Sequence, residues 1–143
     1  MMGLRPPEIW LISGPARTER NALALRMAQH LDTAAHIDGD AIWSQIVAGR
    51  APATDEAAYD REYELAVRNQ CLLARSYAEA GYTPVLDFHI GNRFQLDAFR
   101  NYLLGGVIRL VSTAGAIEGE GLAVAADAAV EDILERRAEA LIR

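Results

Sequence analysis

The chain has 143 residues, a length that suits one domain and buries about 68–70% of the surface exposed by the unfolded chain. All 14 basic residues are arginine, and the 20 acidic residues give a formal charge of −6, spread along the chain; this excludes a nucleic-acid-binding face, which needs clustered cations. The single cysteine, Cys71, excludes an internal disulfide, and no apolar run approaches the roughly 18–20 residues of a membrane span.

These properties predict a cytoplasmic protein whose partners are small molecules or other proteins, with neither nucleic acid nor membrane among them. The sequence shows no basic start followed by an apolar core and a small-residue cleavage site, so nothing marks it for export. Abundant alanine, with arginine at every cationic position, fits a GC-rich bacterial genome. We find no internal repeat and no linker, and predict a single domain over residues 1–143.

The first part of the chain predicts a strand, a helix and a second strand, after an exposed lead-in over residues 1–8. Residues 9–12 (IWLI) are continuously apolar, which is typical of a strand buried on both faces of a parallel sheet. Residues 21–31 carry apolar side chains at helical spacing. Residues 34–37 predict the second strand, which ends at the acidic stretch 38–40.

The middle of the chain predicts two helices. A brief one runs from the acidic stretch to Gly49, and residues 49–54 form a loop. The longest helical pattern covers residues 55–80, with Thr54 or Asp55 as its N-cap and Gly81 where a C-cap glycine is expected.

The last part predicts strands at 83–87, 107–111 and 122–124, with a helix over 93–104 between the first two and a loop over 112–121 before the third. A final helix over 128–142 would be capped by Asp127. Strands that alternate with helices predict parallel β-α-β units and an α/β fold.

Residues 9–24 are laid out like a phosphate-binding loop between a buried strand and a helix. Such a loop has the pattern G-x-x-x-x-G-K-[ST]: its amides cradle phosphate oxygens, the lysine reaches the outer phosphates, and the hydroxyl holds Mg²⁺. Here Gly14 keeps the first position. Glu19 replaces the second glycine, Arg20 the lysine and Asn21 the hydroxyl residue.

Together with two later motifs, this loop resembles the small P-loop phosphotransferases, a family that includes shikimate kinases, gluconate kinases and chloramphenicol phosphotransferases. The motifs are ISGP at 12–15, HIDGD at 36–40 and GYTPVLD at 81–87, in the family's order and at about its separations. The resemblance covers roughly residues 8–112.

The resemblance implies a three-layer α/β/α sandwich around a parallel, five-stranded sheet, with ATP as phosphoryl donor, Mg²⁺, and a small hydroxylated acceptor. Asp40, or else Asp38, would take the proton of the acceptor hydroxyl. The metal would lie near Asn21 and Asp87. The nucleotide would contact the loop residues Gly14, Pro15, Arg17, Thr18, Arg20 and Asn21. The acceptor would lie near Asp87, His89, Arg93 and Trp43.

The loop also departs from the family pattern. At about 4 Å and an effective dielectric constant of about 20, the Glu19 carboxylate would repel a phosphate charge by about 4 kcal/mol. A left-handed backbone at that position would add roughly 1–2 kcal/mol, and both together would weaken ATP binding by about 10³-fold or more. The planar guanidinium of Arg20 does not replace a compact ammonium. Arg17 and Arg20 nevertheless outnumber Glu19, which leaves the loop cationic and open to an anion.

A second departure lies downstream of the fourth strand. The family has a lid helix there whose arginines close over the phosphates, whereas residues 112–130 contain no basic residue. Both departures predict a degenerate family member with weak or lost nucleotide binding and catalysis; ATP and Mg²⁺ are its cofactors if it is active, and it has none if it is not. The alternatives are an active ATP-dependent kinase of a small hydroxylated compound, and a non-catalytic protein-interaction module, for example a homodimer.

Several of these side chains also fit purely structural roles. Asp38 and Asp40 are suitable caps for the short helix that follows them. Arg93 and Arg100 fall on one helix face, where arginines are commonly solvated. Cys71 belongs to an apolar helix face and is expected to be inert. His30 and His36 lie too far from the single cysteine in sequence to suggest a zinc site.

Overall fold

Five strands alternate with helices in the computed structural model, which describes residues 5–143. The strands are β1 (Glu8–Ser13), β2 (Ala34–Asp38), β3 (Thr83–Asp87), β4 (Val107–Ser112) and β5 (Leu122–Ala123). The helices are α1 (Arg17–His30), α2 (Gly39–Trp43), α3 (Glu56–Glu79), α4 (Arg93–Tyr102), α5 (Val130–Glu135) and α6 (Arg137–Ala140).

The strands form one parallel sheet in the order β2-β3-β1-β4-β5. In the register of the sheet, Asp87 at the end of β3 lies between Asp38 of β2 and Ile12 of β1. Because parallel strands all end at the same edge, the polar residues that follow them meet there. This carboxyl edge is where ligands collect in open α/β sheets.

Both faces of the sheet are buried, as the apolar runs predicted. In β1, Ile9 and Leu11 pack towards α3 and α4, while Trp10 and Ile12 pack towards α1 and α5. The result is a three-layer α/β/α sandwich with a parallel five-stranded sheet, and the predicted fold class is confirmed.

The first helix begins earlier than predicted. It starts at Arg17 rather than at residue 21, and the Arg20 amide already donates to the Ala16 carbonyl at 3.0 Å. The predicted lead-in is shorter as well. Residues 1–4 lie outside the described part of the chain, residues 5–7 are exposed, and Glu8 already belongs to β1.

The second helix ends at Trp43 and does not continue to Gly49. Val47, one of the apolar residues that predicted the longer helix, finds no core to pack against and is 89% exposed. The third helix agrees with prediction at both ends. The Asp55 side chain caps its start by accepting from the Ala58 amide at 3.0 Å, and Gly81 follows the C-cap residue Ala80.

The predicted last helix is broken into α5 and α6, and Asp127 does not cap it, because Ala129 occupies the N-cap position. The chain leaves the helix after Ala140 to cover β4, whose edge is paired by β5 only at its last two residues. The Ile142 amide donates to the Ile108 carbonyl at 3.0 Å, and Leu141 bridges to Arg109 in antiparallel fashion. None of the helices in residues 5–143 is both long enough and apolar enough to cross a membrane.

Candidate functional site

The carboxyl edge of the sheet gathers charged and polar side chains from four elements. Helix α1 contributes two arginines and an asparagine, and β2, α2 and β3 contribute carboxylates and a histidine. They form what we call the edge cluster: Arg17, Arg20, Asn21, His36, Asp38, Asp40 and Asp87.

Arg20 lies at the centre of the edge cluster and is only 2% exposed. The start of α1 at Arg17 places Arg20 on the helix face that carries Leu23, Ala24 and Met27, which packs against the sheet. Its guanidinium donates through Nε to Asp87 Oδ1, through Nη2 to Asp40 Oδ2, and through Nη1 to the Gly14 carbonyl at 2.6 Å. One planar side chain therefore joins the loop to the end of β3 and the start of α2.

Asp87 is fully buried, and both of its carboxylate oxygens are engaged. Oδ1 accepts from Arg20, while Oδ2 accepts from the Asn21 amide at 2.7 Å and lies 3.2 Å from His36 Nε2. A buried carboxylate needs such partners, because its desolvation is otherwise costly. Asn21 points its NH₂ group towards Asp87. Its side-chain oxygen, the atom that would bind a metal, does not make this contact.

Asp38 and Asp40 are partly exposed and differ in their surroundings. Burial disfavours ionisation of Asp38, but hydrogen bonds from the Ala41 amide and from Arg17 outweigh it and hold the pKa of Asp38 below its usual value. Burial raises the pKa of Asp40, against the opposing charges of Arg20 and Arg17. Asp38 also caps α2, as its sequence position suggested.

Arg17 stands at the rim of the edge cluster with about half of its side chain exposed. It lies 3.1 Å from Asp38 and 3.7 Å from Asp40. Both arginines thus face carboxylates in this arrangement, and the binding of an anion by this loop stays a prediction.

The connection between β1 and α1 is short and closely packed. Only Gly14, Pro15 and Ala16 separate the strand from the helix. A β-carbon at Gly14 would overlap the hydroxyl of Thr113, so the close approach of these two loops requires glycine. Pro15 and Thr18 are exposed to solvent. Glu19 is also exposed and lies in the first turn of α1. Its backbone is therefore helical and does not carry the left-handed strain expected from the sequence.

His89 and Trp43 border the edge cluster. Burial and the charge of Arg20 lower the pKa of His89, while Asp40 and the backbone of Gly14 act in the opposite direction. Trp43 belongs to an aromatic group with Tyr59, Tyr63 and Phe88, and its indole donates to Glu62 at 2.6 Å.

A cleft of about 450 Å³ opens near these residues, between the starts of α3 and α4. Its lining is polar and acidic apart from an aromatic ring and an alanine: Ala53, Glu56, Tyr59, Asp60, Asn92 and Gln95. A second cavity, of about 500 Å³, lies at the opposite end of the sheet around Ile9 and Leu103.

Arg93 lies outside the edge cluster. Its guanidinium donates to Glu120 at 2.7 Å and to the Glu118 carbonyl at 3.3 Å, and so attaches α4 to the loop after β4. The sequence placed it beside the acceptor because it follows the end of a strand, but its side chain turns away to this loop.

His36 belongs to the edge cluster although the sequence reasoning left it aside. It does have an acidic partner, Asp87, 51 positions away in the chain. The alternation of side chains along β2 puts His36 on the same face as Asp38, so the sequence could have predicted that His36 lies near the acidic residues. Within residues 5–143, no group of three or more His, Cys, Asp or Glu side chains is arranged to hold a metal ion.

No protein-family model matches the chain, and no curated protein sequence matches it significantly. Solved structures do resemble it. The APS kinase of Mycobacterium tuberculosis, as a cysteine-to-alanine mutant, has a TM-score of 0.66 and 14% identity over 92% of this chain and 94% of that one. An unliganded sugar kinase from a Janibacter species has a TM-score of 0.58 and 15% identity, covering 92% and 91%.

A hexameric APS kinase from Thiobacillus denitrificans has a TM-score of 0.65 and 15% identity over 92% of this chain, which spans 28% of that longer chain. Similarity at this level of identity shows the fold alone, and the chain shares its fold with these kinases.

Proposed function

We propose that this protein is a degenerate P-loop kinase-fold protein, in which Arg20 closes the phosphate-binding position and nucleotide binding and phosphoryl transfer are weak or lost. The observation that carries the proposal is the engagement of the Arg20 guanidinium by Asp87, Asp40 and the Gly14 carbonyl. In a working loop, the cation at this position points to the outer phosphates.

Redirecting Arg20 to a nucleotide is costly. Removing one partner from a buried ion pair destabilises a protein by about 3–5 kcal/mol. A phosphate that drew Arg20 away from Asp87 would therefore have to offset this loss of stability. A penalty of this size weakens binding by about 10²- to 10³-fold or more.

The metal position is closed by the same contacts. Mg²⁺ prefers oxygen ligands in near-octahedral geometry. The Asp87 oxygens instead accept from Arg20 and Asn21, and Asn21 presents donors where a hydroxyl oxygen would be needed. The residues around Asp87 thus satisfy one another and leave little to attract a cation.

The loop after β4 adds independent support. Residues 113–121 form no helix or strand, and no basic residue occurs between 112 and 130. Any arginines that close over the phosphates would therefore have to come from another part of the chain. Because two APS kinases and a sugar kinase share the fold, phosphoryl transfer is the natural activity from which this site departs.

Calorimetric titration with ATP and Mg²⁺ tests the proposal. We expect no measurable binding by the native chain and restored binding by the double variant Glu19→Gly, Arg20→Lys. A lysine cannot bridge Asp87, Asp40 and Gly14 at once, so its ammonium can turn to a phosphate. The matched control is Arg26→Lys, the same exchange on the exposed face of α1, which should bind no better than the native chain.

Binding by the native chain at micromolar concentrations would contradict closure by Arg20 and support a second candidate, an active kinase of a small hydroxylated compound. The position of Asp40 favours that candidate, because its carboxylate is partly exposed at the carboxyl edge of the sheet. In that case Asp40→Asn should abolish ATP turnover with the accepted compound. Unchanged turnover would remove Asp40 as the base.

A further inference from the structure

The loop after β4 carries a carboxylate that is enclosed by two arginines of α4. Glu120 Oε2 accepts from Arg93 Nη1 at 2.7 Å and from Arg100 Nη2. The Glu120 side chain is 10% exposed, far less than is usual for a glutamate on a loop. Burial opposes its ionisation, but the two guanidinium groups outweigh this and hold the pKa of Glu120 below its usual value.

Arg100 is incompletely satisfied in this arrangement. It also donates to Asp97 at 2.7 Å, one turn earlier in α4. Its Nε is buried, however, and has no hydrogen-bond partner within residues 5–143. Buried donors in folded proteins are nearly always paired, so an orphan donor beside a bound carboxylate indicates that the carboxylate fits the guanidinium imperfectly.

Glu120 sits on a segment with little structure of its own. Residues 113–121 contain no helix or strand, and glycines lie on both sides of Glu120. Apart from the turn contact of the Glu120 amide with the Ile117 carbonyl, the polar contacts described for Glu118 and Glu120 go to Arg93 and Arg100. The ion pairs therefore fix this part of the loop on α4.

We propose that Arg93 and Arg100 form a binding site for a small oxyanion group, such as phosphate or sulfate, which Glu120 fills in this structure. Without Glu120, two guanidinium groups remain with one carboxylate, that of Asp97. That leaves one net positive charge to attract an anion, and a tetrahedral oxyanion offers enough acceptors for paired N–H donors of both arginines. The site lies on α4, outside the edge cluster, so this proposal does not depend on whether Arg20 closes the phosphate-binding position.

Calorimetry with sodium sulfate and with sodium phosphate tests the site, at an ionic strength held constant with sodium chloride. We expect Glu120→Gln to bind both anions about tenfold more tightly than the native protein, because the competing charge is removed. The matched control Glu118→Gln removes a neighbouring exposed carboxylate and should bind as the native protein does. No gain in Glu120→Gln over this control would overturn the proposal.

A second pair of measurements assigns the site and does not depend on one variant. Adding Arg100→Gln to Glu120→Gln should abolish the gain, and a gain that persists would mean an anion bound elsewhere. In the native protein, sulfate should speed amide hydrogen exchange in residues 113–121 as Glu120 is displaced, whereas chloride should not. Equal exchange in both salts would also count against displacement of Glu120.

Discussion

Arg20 donates hydrogen bonds to three groups: the buried carboxylate of Asp87, the partly exposed carboxylate of Asp40 and the backbone carbonyl of Gly14. A lysine in the same place would supply one compact charge, while the arginine fork supplies separate donors at fixed angles. The ion pair with Arg20 explains why the Asp87 carboxylate can be fully buried. At the scale of single residues, Arg20 acts as the shared cation of Asp87 and Asp40.

Replacement of Arg20 by methionine should lower the free energy of unfolding by about 3–5 kcal/mol, because it leaves Asp87 and Asp40 without their shared cation. Urea denaturation at neutral pH measures the change. Arg26→Met, on the exposed face of the same helix, should cost less than about 1 kcal/mol. If the two variants lost equal stability, the Arg20 contacts would be energetically unimportant.

The loop after β4 shows how an element without regular structure is held. Gly121 has a φ of 74° and packs against β4, so that a β-carbon there would lie 2.5 Å from the Leu110 carbonyl oxygen. Gly119 has a similar φ of 77°, but no atom of another residue lies near its missing side chain. The two glycines share a backbone conformation and differ in packing.

This difference makes a matched pair of substitutions. Gly119→Ala should cost about 1–2 kcal/mol, the price of a left-handed backbone for a residue with a β-carbon. Gly121→Ala should cost about 1–3 kcal/mol more, because the methyl group overlaps β4 as well. Chemical denaturation of both variants gives the values, and equal losses would show that the loop gives way at Gly121.

At the scale of the whole molecule, the first strand and the last residues of the chain are joined across the sheet. Glu8 accepts from Arg109 at 2.6 Å and from Arg137 at 3.0 Å, and both arginines lie over the ring of Trp10. The segment after α6 then pairs with the part of β4 that β5 leaves open. An uncovered strand edge invites pairing with other chains, and this segment protects it.

Ile142 anchors that segment in the core, and Ile142→Ala should therefore cost about 2–4 kcal/mol through lost packing and a cavity. Leu141→Ala is the control in the same segment. Leu141 is largely exposed, so its truncation should cost less than about 1 kcal/mol. Thermal and urea unfolding of both variants test this, and a small loss for Ile142→Ala would mean that the segment contributes little.

Most of the fold followed from local patterns. The apolar runs of β1, β3 and β4 and the helical spacing of α3 carry strong signals, since a strand buried on both faces and a long amphipathic helix leave few alternatives. The predicted helix boundaries were wrong where local helical preference competes with tertiary packing. Val47 has no core to pack against, and the chain leaves the helical conformation after Ala140 to complete the edge of β4.

The candidate site was predicted in part. The order of the motifs led to Asp38, Asp40 and Asp87, and the parallel register brings their strands together. The orientation of Arg20 could not be inferred, because it depends on where α1 begins and on which carboxylates reach it. The same is true of Arg93, whose partner Glu120 is 27 positions away.

The sequence by itself determined the layers of the fold and the positions at which polar residues end the strands, because both depend on short-range periodicity. It also determined that lysine is missing where a phosphate-binding loop needs it. Only the tertiary structure decided that Arg20 is directed inward and that Arg93 and Arg100 enclose Glu120. Charge pairing between distant segments depends on distances that arise only once the chain has folded.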